Sequence, residues 1–122
     1  MFALSHDYRI QQSGKGFMCA NEIELAMPIP KPELDLFSHA MAPIDYFDTV
    51  LSAKRWDGAE AYRRGLVHAT GNDHEVSSAV VALSNRVAHL GKNRANMKIF
   101  KRDTKGYVAT GLRTYFTNES KL

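Results

Sequence analysis

The four prolines of this 122-residue chain all fall in one short stretch, at Pro28, Pro30, Pro32 and Pro43. Proline has a fixed φ and no backbone N–H, so three prolines at alternate positions exclude a regular helix or a central strand there. Residues 21–31 are therefore predicted to form a loop. Proline is favoured in the first turn of a helix, so Pro32 and Pro43 can each open one. The sequence thus predicts a boundary near residue 31 between two kinds of structure.

Two short strands are predicted before the proline-rich loop. Apolar residues cluster and then alternate from Phe2 to Ile10, and a second apolar run covers Phe17 to Ala20, after the turn Gly14-Lys15-Gly16. Two strands do not make a stable sheet by themselves. Residues 1–31 are therefore expected to hold strands and an active-site loop, and to look incomplete, as if neighbouring strands preceded Met1.

Residues 32–117 are predicted to be helical, because apolar side chains recur there every three to four positions. Capping residues mark several starts, and glycines mark several ends. The predicted segments are Pro32 to Met41, a helix opened by Pro43, Ala59 to Arg64, a longer helix capped by Asn72 or Asp73 and stopped by Gly91, and a last helix from about Asn93 toward Tyr115. Residues 118–122 form a tail. The fold class is thus predicted to be α/β, with two short strands followed by four or five helices in one partial domain.

Composition and charge exclude several classes of protein. The chain carries a net charge of +3, and its lone Cys19 cannot form an internal disulfide. No apolar run approaches 18 residues, so no membrane span is predicted. Four cations form one stripe on the last predicted helix: Lys98, Lys101, Arg102 and Lys105. Such a stripe can bind phosphate, but a solvated helix face is the more common case, and no nucleic-acid partner is predicted.

Glu22 is the candidate catalytic residue, because it follows the second predicted strand among apolar residues. A carboxylate in such a setting is partly desolvated, which suits it to proton transfer. Glu24 competes with it, since strand-like alternation puts both on one side and nothing local chooses between them. Histidines at zinc-site spacing and a second cysteine are lacking, so no metal site is predicted. Cys19 is expected to be a buried core thiol.

The last three residues, Ser120-Lys121-Leu122, match a peroxisomal import signal. The signal is read by an import receptor at a free C-terminus. The sequence therefore predicts a peroxisomal location and that receptor as a partner.

Two further segments resemble the enoyl-CoA hydratase/isomerase (crotonase) superfamily. The first runs from Phe2-Ala3-Leu4-Ser5-His6-Asp7-Tyr8-Arg9-Ile10 through Phe17-Met18-Cys19-Ala20-Asn21-Glu22-Ile23-Glu24-Leu25 into the proline-rich loop. The second, Ala59-Glu60-Ala61-Tyr62-Arg63-Arg64-Gly65-Leu66-Val67, is similar to the "A-x-E-A-x-x-x-G-L-V" segment of that family. The chain looks most like the C-terminal portion of the peroxisomal delta3,delta2-enoyl-CoA isomerases.

This resemblance implies an activity and a role for Glu22. In these isomerases one glutamate moves a proton from C2 to C4 of a 3-enoyl-CoA, giving the 2-trans form in fatty acid β-oxidation, and the matching position here is Glu22 rather than Glu24. Hydratases of the superfamily use a second glutamate six residues before the aspartate matched by Asp7, where Met1 stands. The substrate implied is an acyl-CoA thioester, with no separate cofactor because CoA is part of the substrate.

The resemblance also implies partners and a limit on activity. A homo-oligomer, most simply a trimer, is implied by the family. Its oxyanion donors come from turns before the strand that begins at Phe2, so this chain is expected to be a poor enzyme alone. The alternative hypothesis is a non-catalytic fragment that joins oligomers of a full-length relative.

Overall fold

The computed structural model describes residues 2–119 and shows five α-helices and one small sheet within them. The α-helices are α1 (Lys31–Ala40), α2 (Pro43–Ser52), α3 (Gly58–Arg63), α4 (Asp73–Val87) and α5 (Arg94–Glu119). The strands are β1 (Ile10–Gln12) and β2 (Ala69–Gly71), and Phe2–Ser5 and Ala88–Lys92 form 3₁₀ helices. The predicted α/β class is confirmed, and the five α-helices within residues 2–119 agree with the predicted four or five.

The positions of the strands differ from the prediction. Phe2–Ser5 is a 3₁₀ helix, and the paired strand Ile10–Gln12 overlaps the first predicted strand only at Ile10. The Phe2–Ser5 segment forms a local hydrogen bond instead of pairing with a strand, because the Ser5 hydroxyl donates to the Phe2 carbonyl at 2.7 Å. The second predicted strand, Phe17–Ala20, reduces to a single antiparallel bridge between Met18 and Trp56.

The true partner of β1 lies much later in the chain. β2 runs parallel to β1, with Ile10 opposite Ala69 and Gln12 opposite Gly71. Parallel strands need a long crossover connection. Here the crossover consists of the loop and α1, α2 and α3. The sequence had predicted all helices after both strands, and this order is wrong because three of them lie between β1 and β2.

The helix starts follow from their sequences. Proline stands in the first turn of both α1 and α2, as predicted. The Asp57 carboxylate accepts from the Glu60 N–H at 2.8 Å and caps α3. Asn72, rather than Asp73, caps α4, and Glu75 completes the capping box by accepting from the Asn72 N–H at 2.8 Å. α4 ends at Val87, and the chain continues as a 3₁₀ helix through Gly91.

The core lies where α1, α3 and α5 meet the segments around Leu4 and Trp56. Its buried apolar members include Leu36, Phe37, Trp56, Ala61, Leu66 and Val108. α5 lies close to the start of α1 at Gly111, where an added Cβ would come within 3.2 Å of the Pro32 side chain. A larger residue at position 111 would therefore push the two helices apart.

Among residues 2–119, no helix combines the length and the apolar character needed to cross a membrane.

Candidate functional site

Glu22 lies in a tight turn that fixes its backbone. The Glu22 carbonyl accepts hydrogen bonds from the N–H groups of Leu25 at 3.1 Å and Met27 at 2.9 Å. The preceding carbonyl, of Asn21, accepts from Glu24 N–H at 3.0 Å. Ala26 closes the turn with a φ of 52°, in the left-handed region. The turn is therefore held by its own backbone, and Glu22 stands at its first position.

The carboxylate of Glu22 has an unusual environment. Its Oε2 atom is buried and has no hydrogen-bond partner among the described residues. Buried polar atoms are nearly always hydrogen-bonded, so this oxygen is an exception that calls for a reason. An oxygen shielded from water and without a donor is free to take up a proton from a bound molecule.

Glu24 lies in a different environment, although it is only two positions further along the chain. Its side chain is 54% exposed, and its carboxylate lies 3.7 Å from the Arg55 guanidinium. A solvated, paired carboxylate of this kind contributes a surface charge and little else. The structure thus separates two residues that the sequence pattern alone could not distinguish.

Trp56 anchors the segment that leads into the turn. Its backbone N–H and carbonyl bond to the Met18 carbonyl and N–H at 2.8 and 2.9 Å. The indole N–H of Trp56, a fully buried side chain, donates to the Thr49 hydroxyl at 2.8 Å, and that hydroxyl donates to the Asp45 carbonyl at 2.6 Å. Helix α2 thereby fixes the position of Met18, and through it the start of the Glu22 turn.

An ion pair between a buried carboxylate and a partly exposed arginine lies at the other end of this network. The Asp45 side chain is 2% exposed, and its Oδ1 accepts from Arg64 Nε at 2.7 Å. The hydrogen bond to Asp45 raises the pKa of Arg64 above its ordinary value, so the guanidinium stays charged. The two residues are 19 positions apart, and no local pattern pairs them. Sequence reasoning missed this pair, and the only signal was an acidic residue in the first turn of α2.

Two apolar cavities lie next to the segments that flank Glu22. One, of about 300 Å³, is lined by Phe2, Leu4, Met18, Cys19, Phe37 and Trp56, among others. The second, of about 170 Å³, is lined by Ile23, Met27, Pro28, Ile29, Leu34, Val50 and Leu51. Glu22 itself lines neither. Cys19 is half-buried in the first cavity rather than fully buried in the core.

The basic stripe on α5 is largely neutralised within the chain. Lys101 and Lys105 both bind the Asp7 carboxylate, at 2.5 and 2.8 Å, and Arg102 binds Asp103 at 2.7 Å. Hydrogen bonds from Lys101 and then Lys105 hold the pKa of Asp7 below its usual range. Lys101 and Lys105 therefore tie the segment near Asp7 to α5, whereas Arg102 pairs only with the next residue.

Two other predictions concern a metal site and the C-terminal import signal. Residues 2–119 contain no group of three or more potential metal ligands. Ser120-Lys121-Leu122 lies outside the described residues, so the import signal stays a prediction.

Comparison with known proteins places this geometry in a family. No family model matches the chain. The chain is 32% identical over 95 residues to Enoyl-CoA delta isomerase 3 from Arabidopsis thaliana, an alignment that covers 72% of this chain and 38% of that protein.

Solved structures share the fold. An enoyl-CoA hydratase/isomerase family protein from Pseudomonas syringae matches 98% of this chain and 51% of its own, with a TM-score of 0.80 and 21% identity. Human mitochondrial delta3-delta2-enoyl-CoA isomerase matches 91% of this chain and 43% of its own, with a TM-score of 0.75 and 21% identity.

The fold is that of the crotonase-type acyl-CoA enzymes. The chain belongs to the enoyl-CoA hydratase/isomerase superfamily, as its sequence motifs had indicated. It spans between two fifths and about half of the length of the relatives it matches.

Proposed function

We propose that this chain carries the catalytic base of a delta3,delta2-enoyl-CoA isomerase, and that Glu22 is the base. The observation that carries the proposal is the buried Glu22 Oε2 atom without a hydrogen-bond donor. The carboxylate would remove a proton from C2 of a 3-enoyl-CoA and return it at C4, leaving the double bond at the 2-trans position. The base ends the cycle in its starting state, so the reaction needs no cofactor besides the CoA of the substrate.

The proposed chemistry needs a second element. Removal of a proton next to a thioester creates an enolate, and its oxygen must be stabilised by positioned hydrogen-bond donors. Because the chain spans 38% of its Arabidopsis relative, we place these donors in the part of the family fold that this chain does not cover. The chain then supplies the base and apolar walls, and activity in fatty acid β-oxidation depends on that second part.

The test compares Glu22→Gln with Glu24→Gln in the full chain, used in excess over 3-enoyl-CoA in D₂O. Two signals are followed, namely deuterium at C2 and the absorbance of the conjugated thioester. We expect slow exchange by the wild type and a loss of roughly a hundredfold or more in Glu22→Gln, because the amide keeps the shape and loses the basicity. Glu24→Gln is the matched control and should behave as the wild type. Equal losses in both variants would show that the base is misassigned.

A second candidate function is favoured by the amount of exposed apolar surface. Several large apolar side chains are more than half exposed: Phe2, Phe17, Ile23, Leu25, Met27, Ile44, Phe47 and Leu51. Ile23, Met27 and Leu51 line one shared cavity, and apolar side chains exposed together on a folded protein mark an interaction site. The chain could therefore serve as a non-catalytic subunit that docks onto relatives or copies in a trimer. Complete absence of exchange by the wild type, together with oligomer formation, would favour this function over catalysis.

Ser120-Lys121-Leu122 supports a proposed location in peroxisomes, with the import receptor as partner. A fluorescent protein fused before residue 1 should form puncta. Deletion of Leu122 removes the carboxylate and side chain that such a receptor reads, and should make the signal diffuse.

A further inference from the structure

A further cavity adjoins the sheet, and no residue of the Glu22 turn lines it. It lies between the two strands and α4 and has a volume of about 270 Å³. Five apolar side chains line it: Ile10, Ala69, Ala79, Ala82 and Leu83. The remaining two lining residues, His68 and Arg86, are polar. An apolar cavity with a small number of polar groups is the usual form of a small-molecule site.

The exposed ring of His68 is oriented by two contacts. Its Nδ1 atom accepts a hydrogen bond from the Arg9 backbone N–H at 3.2 Å. The Tyr8 ring meets the imidazole edge to face, with 5.1 Å between the ring centroids. An imidazole that accepts at one nitrogen carries its hydrogen on the other. His68 Nε2 is therefore a donor, with no partner among residues 2–119.

Arg86 is an exposed cation in the last turn of α4. Within residues 2–119, its side chain makes no ion pair or hydrogen bond with another residue. No acidic side chain lines the cavity. A guanidinium binds carboxylates well because its N–H groups match the two carboxylate oxygens. The cavity thus combines an apolar wall, one oriented imidazole donor and one exposed guanidinium.

We propose that this cavity binds a small monocarboxylate with a short aliphatic chain. Arg86 would bind the carboxylate, with His68 as a second donor, and the five apolar side chains would contact the aliphatic part. The volume lies just below the range of roughly 300–1,000 Å³ typical of drug-sized ligands, which favours a small ligand. The site uses none of the residues assigned to proton transfer, so it stands or fails independently of the isomerase proposal.

The experiment is an NMR titration of the full chain with sodium hexanoate, following the His68 ring resonances. Hexanamide has the same shape without the charge, and acetate has the charge without the chain. We expect saturable shifts with hexanoate and much weaker ones with both analogues. Arg86→Gln should weaken hexanoate binding by about tenfold or more, the effect of losing a charged hydrogen-bond partner. Arg113→Gln, an exposed arginine on α5, is the control and should bind as the wild type.

A second variant tests the apolar part without changing charge. Ala82 is an exposed helix residue that lines the cavity, so Ala82→Leu should leave the fold intact, fill the space and abolish binding.

The proposal is overturned if hexanoate causes no saturable shift at His68, or if Arg86→Gln binds as tightly as Arg113→Gln. It is also overturned if hexanamide binds as well as hexanoate, because the cation would then have no part in recognition. Glu22→Gln should still bind hexanoate, which keeps this result separate from the isomerase test.

Discussion

Replacement of Thr49 by valine tests the network that positions the Glu22 turn. Valine keeps the branched shape of threonine, so packing changes little, but it removes the acceptor of the Trp56 indole N–H at 2.8 Å. Trp56 is 0% exposed, and water cannot replace that acceptor. A buried donor left without a partner costs about 1–3 kcal/mol of stability.

Urea unfolding followed by fluorescence measures this cost directly, because Trp56 is the single tryptophan of the chain. With a slope of about 1–3 kcal/mol/M, the midpoint should fall by on the order of 1 M at an unchanged slope. The matched control is Thr114→Val, because the exposed Thr114 hydroxyl also donates to a carbonyl one turn earlier, that of Thr110, at 3.0 Å. The control should change the free energy of unfolding by less than about 0.5 kcal/mol, as surface substitutions usually do, and its urea midpoint should therefore shift much less. If the two variants shift it equally, the buried indole bond does not stabilise the fold.

Three further predictions concern other parts of the chain. Because the pKa of Asp7 is lowered by Lys101 and Lys105, its contribution is present at neutral pH and should be lost as the pH falls through that lowered value. Asp7→Asn should therefore lower the urea midpoint at pH 7 and equal the wild type in strong acid, whereas a difference that does not depend on pH would contradict the ion-pair explanation. The purified chain should bind the dye ANS or form oligomers through its exposed apolar side chains, and a monomer that ignores the dye would refute this. Gly111→Leu should lower the thermal midpoint in circular dichroism because it forces α5 away from Pro32, while Gly91→Leu, with open space around its Cβ position, should have a much smaller effect.

Local sequence signals predicted the helices well. Proline in the first turn, Asp57 and the Asn72–Glu75 capping box each act within one helical turn, so their effect can be read from neighbouring residues. The strands were predicted less well because pairing is a long-range property. Ile10 pairs with Ala69, and no pattern near either residue identifies the other. The run from Phe17 to Ala20 is apolar enough for a strand, but only Met18 finds a backbone partner.

The candidate site shows the same division between local and long-range information. Apolar neighbours around Glu22 predicted a desolvated carboxylate, and the buried Oε2 atom agrees with that expectation. Strand-like alternation alone could not separate Glu22 from Glu24, and only the family resemblance selected Glu22. The pairing of Glu24 with Arg55, which lies far along the chain, is visible only in the fold. The Asp45–Arg64 pair likewise joins two helices that only tertiary packing brings together.

These long-range contacts link the stability of the core to the proposed chemistry. The Glu22 turn makes its own backbone hydrogen bonds, but its approach is fixed by one bridge, between Met18 and Trp56. Trp56 is in turn held by Thr49 on α2, and α2 is tied to the end of α3 through Asp45 and Arg64. A change in any of these residues would shift the carboxylate without touching it. The proton transfer proposed for Glu22 should therefore be sensitive to Thr49→Val, whereas hexanoate binding proposed for the cavity between the strands and α4 should not be. Loss of proton transfer with unchanged hexanoate binding is expected only if the network positions Glu22, because a uniform loss of stability would weaken both.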